Sequence, residues 1–275
     1  MPPDLENILA CPRCHSGLER RHLELVCACG FVAAVADRTV DVRPRGTPTQ
    51  SVFDKHYPVM MQASADPHSR RVFYDRQGVI VQSLLGGCAK VILDVGCGPQ
   101  LQYEKPTGSL VLGLDPSYGS LCHNRGVDVR LWGSAVSLPL PAESVDVIIC
   151  LYSLHHLVGP TAEETKGLVA KAFAEFRRVL RHGGQLLVFE VVPWWPAWIA
   201  QRLAWSLGRQ MLWTPLNAFF WRRNAFDRFC QWPYKYRVFS TSPFLTFPFA
   251  FTLPWLRLPR LLYPFTIAMF HWRMP

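Results

Sequence analysis

The sequence lacks an apolar leader and lacks the evenly spread cysteines of a disulfide-stabilised protein. Its first residues, Met1–Asp4, contain neither a basic stretch nor an apolar run, so we expect no export signal. Four of the nine cysteines cluster near the amino terminus, and the other five lie scattered in apolar stretches. This pattern excludes a disulfide framework and predicts a reducing, cytoplasmic compartment with one metal site.

Acidic residues are almost absent after residue 192. From Pro193 onward the chain has ten basic residues and one acid, Asp227, whereas residues 1–192 have 19 of each sign. The net charge of +9 therefore belongs to this segment, which also holds nine of the ten tryptophans. Tryptophan and arginine together are typical of bilayer interfaces. Its uncharged run, 238–256, is interrupted by prolines, which disfavours a spanning helix.

Composition divides the chain into three segments without internal repeats. Residues 1–43 hold the cysteine clusters, residues 52–192 alternate apolar runs with polar ones, and residues 193–275 are aromatic and basic. A linker rich in proline and glycine, Arg43–Thr49, separates the first two segments. For the last segment two interpretations remain open, a membrane-interface anchor or the last two strands of a sheet with a lid over the substrate.

The middle segment predicts a doubly wound α/β sheet of the Rossmann type. Near-continuous apolar runs, typical of parallel strands buried on both faces, occur at 90–95, 111–115, 128–131, 145–151 and 185–192. A helix between the last two runs begins at a capping box formed by Thr161 and Glu164, and we expect it to end at Gly183. In such sheets ligands bind at the carboxyl ends of the strands.

A glycine-bearing turn, Asp94–Pro99, follows the first of these strands. Glycine at Gly96 and Gly98 allows a ligand to approach the backbone closely. Asp115 ends the next strand, where a carboxylate can accept both hydroxyls of a ribose. A tight structural turn with a capping aspartate is the alternative. A dinucleotide-binding dehydrogenase is disfavoured because Leu101 stands where that motif needs its third glycine.

Residues 88–192 resemble the class I S-adenosylmethionine-dependent methyltransferases, in particular the branch of ubiquinone- and menaquinone-type enzymes. Five blocks carry the likeness in the family's order: 91–98, 113–117, 138–147, 153–157 and 175–184. The resemblance implies that the glycine turn binds the methionine part of the cofactor, that Asp115 binds the ribose and that 133–135 flank the adenine. The implied cofactor residues are Asp94, Gly96, Gly98, Asp115, Pro116, Ser134, Ala135 and Leu151.

Two positions depart from the family's pattern. Gln100 replaces a frequent third glycine, and Ser134 replaces the usual aspartate beside the adenine. A serine hydroxyl can still accept from the adenine amino group, but without a charge the contact is weaker. These departures keep a non-catalytic binding protein as an alternative.

Two histidines follow the fourth strand, where the family places residues that face the substrate. His155 or His156 could take a proton from a hydroxyl or an activated carbon of the acceptor. The alternative is that one histidine packs under the cofactor and the other is solvated.

The amino-terminal cysteines predict a structural zinc site. Cys11 and Cys14 form one pair and Cys27 and Cys29 the other, and four thiolates complete a tetrahedral site without an open position. His15 or His22 could substitute as ligands, and a thiol cluster without metal is the alternative. Residues 5–44 resemble the short zinc-ribbon modules found with methyltransferases.

Together these features predict methyl transfer from S-adenosylmethionine to a hydrophobic small molecule, such as a quinone-, isoprenoid- or polyketide-like compound, at the inner face of a membrane. The alternative is an RNA methyltransferase that uses the zinc module for recognition. The low lysine content and high apolar content of the last segment disfavour an RNA surface.

Overall fold

A computed structural model of the protein describes residues 4–43, 67–87, 90–211, 218–240 and 265–275. The predicted linker beyond Arg43 and most of the uncharged run 238–256 lie outside these residues. Trp213 and Trp255 lie outside them too.

The described residues form eleven strands and six helices. The strands are β1 (Glu19–Arg21), β2 (Glu24–Val26), β3 (Val32–Ala36), β4 (Thr39–Asp41), β5 (Val91–Val95), β6 (Leu110–Asp115), β7 (Val129–Trp132), β8 (Val145–Leu151), β9 (Leu180–Pro193), β10 (Tyr234–Ser240) and β11 (Phe265–Arg273). The helices are α1 (Leu5–Ile8), α2 (Pro67–Leu85), α3 (Tyr118–His123), α4 (Ala162–Val179), α5 (Trp195–Met211) and α6 (Arg223–Phe229). A 3₁₀ turn covers Leu154–His156.

The strands form one sheet in the order β1-β2-β3-β4-β7-β6-β5-β8-β9-β11-β10. Strands β7, β6, β5, β8 and β9 are mutually parallel, and β11 is inserted antiparallel between β9 and β10. The predicted Rossmann-like α/β class is therefore confirmed. The aromatic carboxyl-terminal segment supplies both β10 and β11.

Helix α4 shows why the local sequence folds as it does. The Thr161 hydroxyl accepts from the Glu164 backbone amide at 3.1 Å, and the Glu164 carboxylate accepts from the Thr161 amide at 3.3 Å, which confirms the capping box. Val169, Phe173 and Phe176 are fully buried. Each such side chain contributes about 1.5–3 kcal/mol to the stability of the fold.

The predicted end of this helix at Gly183 is wrong. The helix ends at Val179, and Leu180 already has extended backbone and pairs with Val145. Gly183 instead has φ +74° at an irregularity of β9, where its amide donates to the Met274 carbonyl at 3.2 Å. The Ser144 amide also donates to the Val179 carbonyl at 2.8 Å, so pairing with the start of β8 accompanies the end of the helix.

Two connections of the sheet contain no helix among the described residues, contrary to the expected alternation. Residues 96–109 join β5 to β6, and residues 133–144 join β7 to β8, as turns and extended loops. Pro99, Pro106 and Gly108 disfavour a helix in the first connection. Both loops therefore begin at the carboxyl edge of the sheet and return to its amino edge without a helix.

The amino-terminal segment has no core of its own. Strand β4 pairs in parallel with β7 and so extends the central sheet, while β1, β2 and β3 continue it antiparallel. Leu9 and Leu25 belong to the same hydrophobic cluster as Leu138 and Phe173. The cysteine segment is therefore packed into the α/β domain.

Candidate functional site

The glycine turn after β5 has the conformation that its sequence predicts. Gly96 and Gly98 have φ values of +69° and +59°, in the left-handed region that favours glycine. A Cβ atom at Gly96 would lie 2.4 Å from Cβ of Ser153, so no larger residue fits without displacing that loop. The Gly96 amide donates to the Leu114 carbonyl at 2.7 Å, which holds the turn against β6.

Asp115 connects the glycine turn to the end of β6. Its carboxylate is buried and accepts from the amides of Gly98 at 2.9 Å and Ser117 at 2.8 Å. Asn124, also buried, donates its amide to the carbonyls of Cys97 at 3.3 Å and Gly98 at 3.0 Å. The turn and the predicted ribose ligand are therefore held as one unit.

Asp94 carries a carboxyl group in an apolar setting. Burial, together with the nearby Asp115 charge, raises its pKa to about 7, and the neighbouring Tyr103 hydroxyl opposes the shift. A buried acid with a near-neutral pKa is typical of ligand sites. A cationic ligand group beside Asp94 would stabilise its ionised form.

The loop after β7 lies against the same site. The Gly133 amide donates to the Asp115 carbonyl at 3.2 Å, and Ser134 and Ala135 follow, half-buried and buried respectively. Pro116 is exposed, and its carbonyl accepts from the indole Nε1 of Trp132 at 3.0 Å. Leu151 ends β8, beside β5 in the sheet. The eight predicted cofactor residues thus follow or end neighbouring strands at one edge.

His155 is buried in the 3₁₀ turn after β8 and forms an ion-pair geometry with Glu190 of β9. The Nδ1 atom of His155 lies 2.7 Å from the Glu190 carboxylate, which also accepts from the amides of Leu154 at 2.8 Å and Val191 at 3.2 Å. Because Nδ1 faces a carboxylate, the proton of a neutral ring lies on Nδ1 and the lone pair on Nε2. The buried pair therefore has the arrangement of a general base and the group that orients it.

Aromatic rings enclose His155. The ring of His156 lies 4.0 Å away between centroids, and the ring of Phe220 lies 5.1 Å away. Phe220 is held by Gln201 of α5, whose amide group donates to the Phe220 carbonyl at 3.0 Å and accepts from its amide at 2.9 Å. An aromatic ring of the carboxyl-terminal segment therefore packs beside His155.

The four amino-terminal cysteines meet as predicted. Their Sγ atoms all lie within 4.8 Å of one another, with Cys11 and Cys29 at 3.5 Å and Cys14 and Cys27 at 3.4 Å. A tetrahedral zinc site with bonds of 2.3 Å needs sulfur atoms about 3.8 Å apart, so the cluster fits the metal. Hydrogen bonds with Ser16 lower the pKa of the Cys14 thiol to about 6, toward the thiolate that binds metals, whereas burial raises the pKa of the Cys11 thiol to about 12. His15 and His22 do not join the cluster.

Sequence reasoning missed Glu190 and Asn124. A signal for Glu190 was present, since it is the one acid in the apolar run 186–192, and a buried carboxylate needs a partner. Asn124 gave no comparable signal, because its role depends on the path of the glycine turn in space. The cysteine cluster lies apart from the histidine pair but touches the loop after β7, where the Ser137 hydroxyl donates to the Pro12 carbonyl at 2.7 Å.

Residues 93–188 match the family model described as "Methyltransferase domain". A protein of Mycolicibacterium smegmatis named "Probable S-adenosylmethionine-dependent methyltransferase" is 32% identical over 154 residues, which cover 54% of this chain and 51% of that protein. The chain spans about half the length of the curated relatives it matches.

Solved structures agree on the fold. A geranyl diphosphate methyltransferase, in complex with GPP and sinefungin, matches with a TM-score of 0.51 and 16% identity over 73% of this chain and 77% of that one. The cyclase SpnF matches with a TM-score of 0.50 and 16% identity over 85% of this chain and 98% of that one. Likeness at this level establishes the Rossmann-like methyltransferase fold alone, since one fold serves several chemistries.

Proposed function

We propose that this chain, whose residues 93–188 form a methyltransferase domain, catalyses methyl transfer from S-adenosylmethionine. The observation that carries the proposal is the unit formed by the glycine turn and Asp115, joined by the 2.9 Å bond from Gly98. In this proposal the turn and Asp94 bind the methionine part, Asp115 binds the ribose, and Ser134 and Ala135 flank the adenine.

His155 is the base of the proposed reaction. The cofactor supplies an electrophilic methyl group on sulfur, so the acceptor must present an electron pair that a proton would otherwise occupy. Nε2 of His155 takes that proton from a hydroxyl or an activated carbon, and Glu190 stabilises the imidazolium that results. His156, whose ring lies tilted against that of His155, completes the wall against the acceptor.

The acceptor in this proposal is a hydrophobic small molecule. The Phe220 ring, held by Gln201 of α5, lies beside His155, and such an apolar wall favours aromatic or isoprenoid acceptors over charged ones. Burial of the Glu190 carboxylate is compatible with such a dry pocket because its oxygens accept four hydrogen bonds from protein groups. The ubiquinone- and menaquinone-type branch remains our prediction for the acceptor class.

A membrane surface is the proposed source of that acceptor. Helix α5 exposes three apolar side chains at spacings of four, Trp195, Ile199 and Leu203, at 52%, 41% and 70%. Trp194 before the helix and Arg202 on it are also exposed. A helix with tryptophan, leucine and arginine outward suits the boundary between headgroups and acyl chains. Among the described residues no helix is both long and apolar enough to cross a membrane.

The proposed role of the cysteine cluster is structural zinc binding. Four cysteine ligands fill a tetrahedral site, so no position remains for substrate. Metal binding supplies folding energy to a segment as small as this one.

Methyl transfer to RNA is the second candidate. It is favoured by the cysteine module ahead of the domain and by the basic carboxyl-terminal segment. RNA offers no hydrocarbon in which Trp195 and Leu203 could be buried, whereas a bilayer does.

The decisive experiment compares flotation with anionic liposomes and retention on structured RNA, each at low and high salt, with S-adenosylhomocysteine binding measured on the same protein. We expect flotation that salt weakens only in part, because burial of apolar surface is not screened. Binding to RNA alone, with a steep salt dependence, would make the second candidate correct. Absence of S-adenosylhomocysteine binding would contradict both.

A further inference from the structure

The loop proposed to flank the adenine, residues 133–139, contacts two separate parts of the cysteine segment. On one side, a Cβ at Gly133 would lie 2.6 Å from Cγ2 of Val42, the residue after β4. The Val42 amide also donates to the Trp132 carbonyl at 3.1 Å. The position of the backbone just before Ser134 and Ala135 is therefore fixed by its contacts with Val42.

On the other side, the loop contacts the turn between the first two cysteines. The Pro12 carbonyl accepts from the Ser137 hydroxyl at 2.7 Å, and the Ala10 amide donates to the Pro139 carbonyl at 2.9 Å. Pro12 lies between Cys11 and Cys14, so the path of this turn depends on where those two sulfur atoms are held. The two ends of the loop are thus tied to the metal cluster and to β4.

A third contact of the cysteine segment lies near Asp115, the proposed ribose ligand. The Arg43 guanidinium lies 3.1 Å above the ring of Trp132 and is paired with Asp41 at 2.8 Å. The Trp132 indole in turn donates to the carbonyl of Pro116, next to Asp115. The cysteine segment therefore braces both the adenine loop and the residue after the ribose ligand.

We propose that the cysteine segment is the outer wall of the nucleoside site, with Pro12 and Val42 as positioning residues, and that its metal-loaded form is required for tight cofactor binding. This inference rests on the proposed function, since it takes 133–135 as the adenine flank. It assigns the segment to the cofactor, in contrast to a module that recognises RNA.

The physical reason is the free energy of ordering a loop. With the four thiolates held by metal, Pro12 and Val42 keep 133–139 in one conformation before the ligand arrives. Without metal the segment loses the part of its folding energy that metal binding supplies, and cofactor binding must order the loop itself. Ordering a few side chains and their backbone corresponds to about a 10- to 100-fold loss of affinity.

The test is calorimetric titration with S-adenosylhomocysteine of zinc-loaded protein and two variants. We expect Cys29→Ser, which removes a ligand, to bind about 10- to 100-fold more weakly, and Ser137→Ala to bind a few-fold more weakly. Two matched controls should bind normally. Ser144→Ala deletes a similar 2.7 Å hydroxyl–carbonyl bond, to Pro141, away from the cysteine segment, and His22→Asn changes an exposed residue of that segment.

Amide exchange of residues 133–139, with and without zinc, provides a second readout that keeps the test valid if Cys29→Ser does not fold. Faster exchange after chelation supports the proposal. Zinc-free protein that binds the ligand as tightly as the loaded form, with unchanged exchange in this loop, would overturn it. If the zinc-loaded protein does not bind S-adenosylhomocysteine at all, the proposed function itself fails, which is a distinguishable result.

Discussion

The ring of His155 and the carboxylate of Glu190 form a buried pair at 2.7 Å, with the carboxylate anchored to the backbone on both sides. The histidine comes from the turn after β8 and the glutamate from near the carboxyl end of β9, so two parallel strands determine their distance. A pair fixed in this way holds one tautomer of the imidazole without help from solvent.

Replacing the carboxylate should impair methyl transfer more than ligand binding. In Glu190→Gln the side chain no longer stabilises an imidazolium, so we expect transfer of a radiolabelled methyl group to a membrane-lipid extract to fall about 100-fold or more. S-adenosylhomocysteine affinity, measured by calorimetry, should stay close to that of the wild type. The control is Glu163→Gln, which breaks an exposed ion pair with Lys166 on α4, outside the site. A parallel fall in activity and ligand affinity would indicate a merely structural role.

Asp115→Ala should weaken cofactor binding. Loss of the charged acceptor removes the proposed ribose contact and the bond that holds Gly98, which corresponds to about 1.5–3 kcal/mol of binding free energy. Calorimetry with S-adenosylhomocysteine measures this loss. Asp128→Ala is the control, because Asp128 also accepts a backbone amide, from Val111, but lies at the opposite edge of the sheet. Equal losses in both variants would argue against a ribose role for Asp115.

The raised pKa of Asp94 predicts that the free energy of unfolding of the protein depends on pH. Because the pKa of its carboxyl is raised to about 7, the folded chain keeps a proton that the unfolded chain loses near pH 4. The contribution of this group is therefore fully present below about pH 4 and is lost as pH rises toward 7. Asp94→Asn removes this dependence and should raise the free energy of unfolding at pH 8 by about 1–3 kcal/mol. Urea unfolding at pH 5 and pH 8 measures it; an effect of equal size at both pH values would contradict the assignment.

Elemental analysis should find about one zinc per chain, since the four thiolates form one tetrahedral site. Cys29→Ser should lose the metal, and the first 40 or so residues should unfold with it. Cys122→Ser, a cysteine of α3 outside the cluster, should retain zinc. A folded amino-terminal segment in metal-free wild-type protein would show that the cluster has another role.

Substitutions on the outward face of α5 should reduce membrane binding without affecting the fold. Leu203→Ser removes a leucine that is 70% exposed, and together with Trp195→Ser it should shift most of the protein from the floating to the soluble fraction with anionic liposomes. Leu23→Ser is the matched control, because Leu23 is also 70% exposed but belongs to the cysteine segment. Equal effects of the leucine substitutions would mean that exposed apolar area in general, rather than this face, determines flotation.

The sequence predicts those parts of the fold that depend on local pattern. The five parallel strands, the Thr161 capping box and the glycine turn after β5 follow from residues close in the chain, and the structure confirms them. Sequence analysis did not predict the features that depend on residues far apart in the chain. The pairing of β4 with β7 joins residues about 90 positions apart, and the early end of α4 coincides with pairing of Leu180 with Val145 at the start of β8.

The candidate site also contains residues that can be predicted from local sequence and residues that cannot. Asp94, Gly96, Gly98 and Asp115 form a short motif that can be read directly, because the chain itself determines their spacing. Glu190 becomes a partner of His155 only when β8 and β9 lie side by side. The contact of Ser137 with Pro12 spans 125 residues, and no local pattern of hydrophobicity or turn residues encodes such a distance.

The place of β11 between β9 and β10 has a consequence for the order in which the chain assembles. Strand β10 is synthesised before β11, yet its strand partner in the described structure is β11. Until residues 265–273 have left the ribosome, β10 therefore has no strand to pair with, and the outer edge of β9 stays open. An open edge of this kind can recruit other chains, so the nascent protein passes through a stage at which it is most exposed to aggregation and to capture by chaperones.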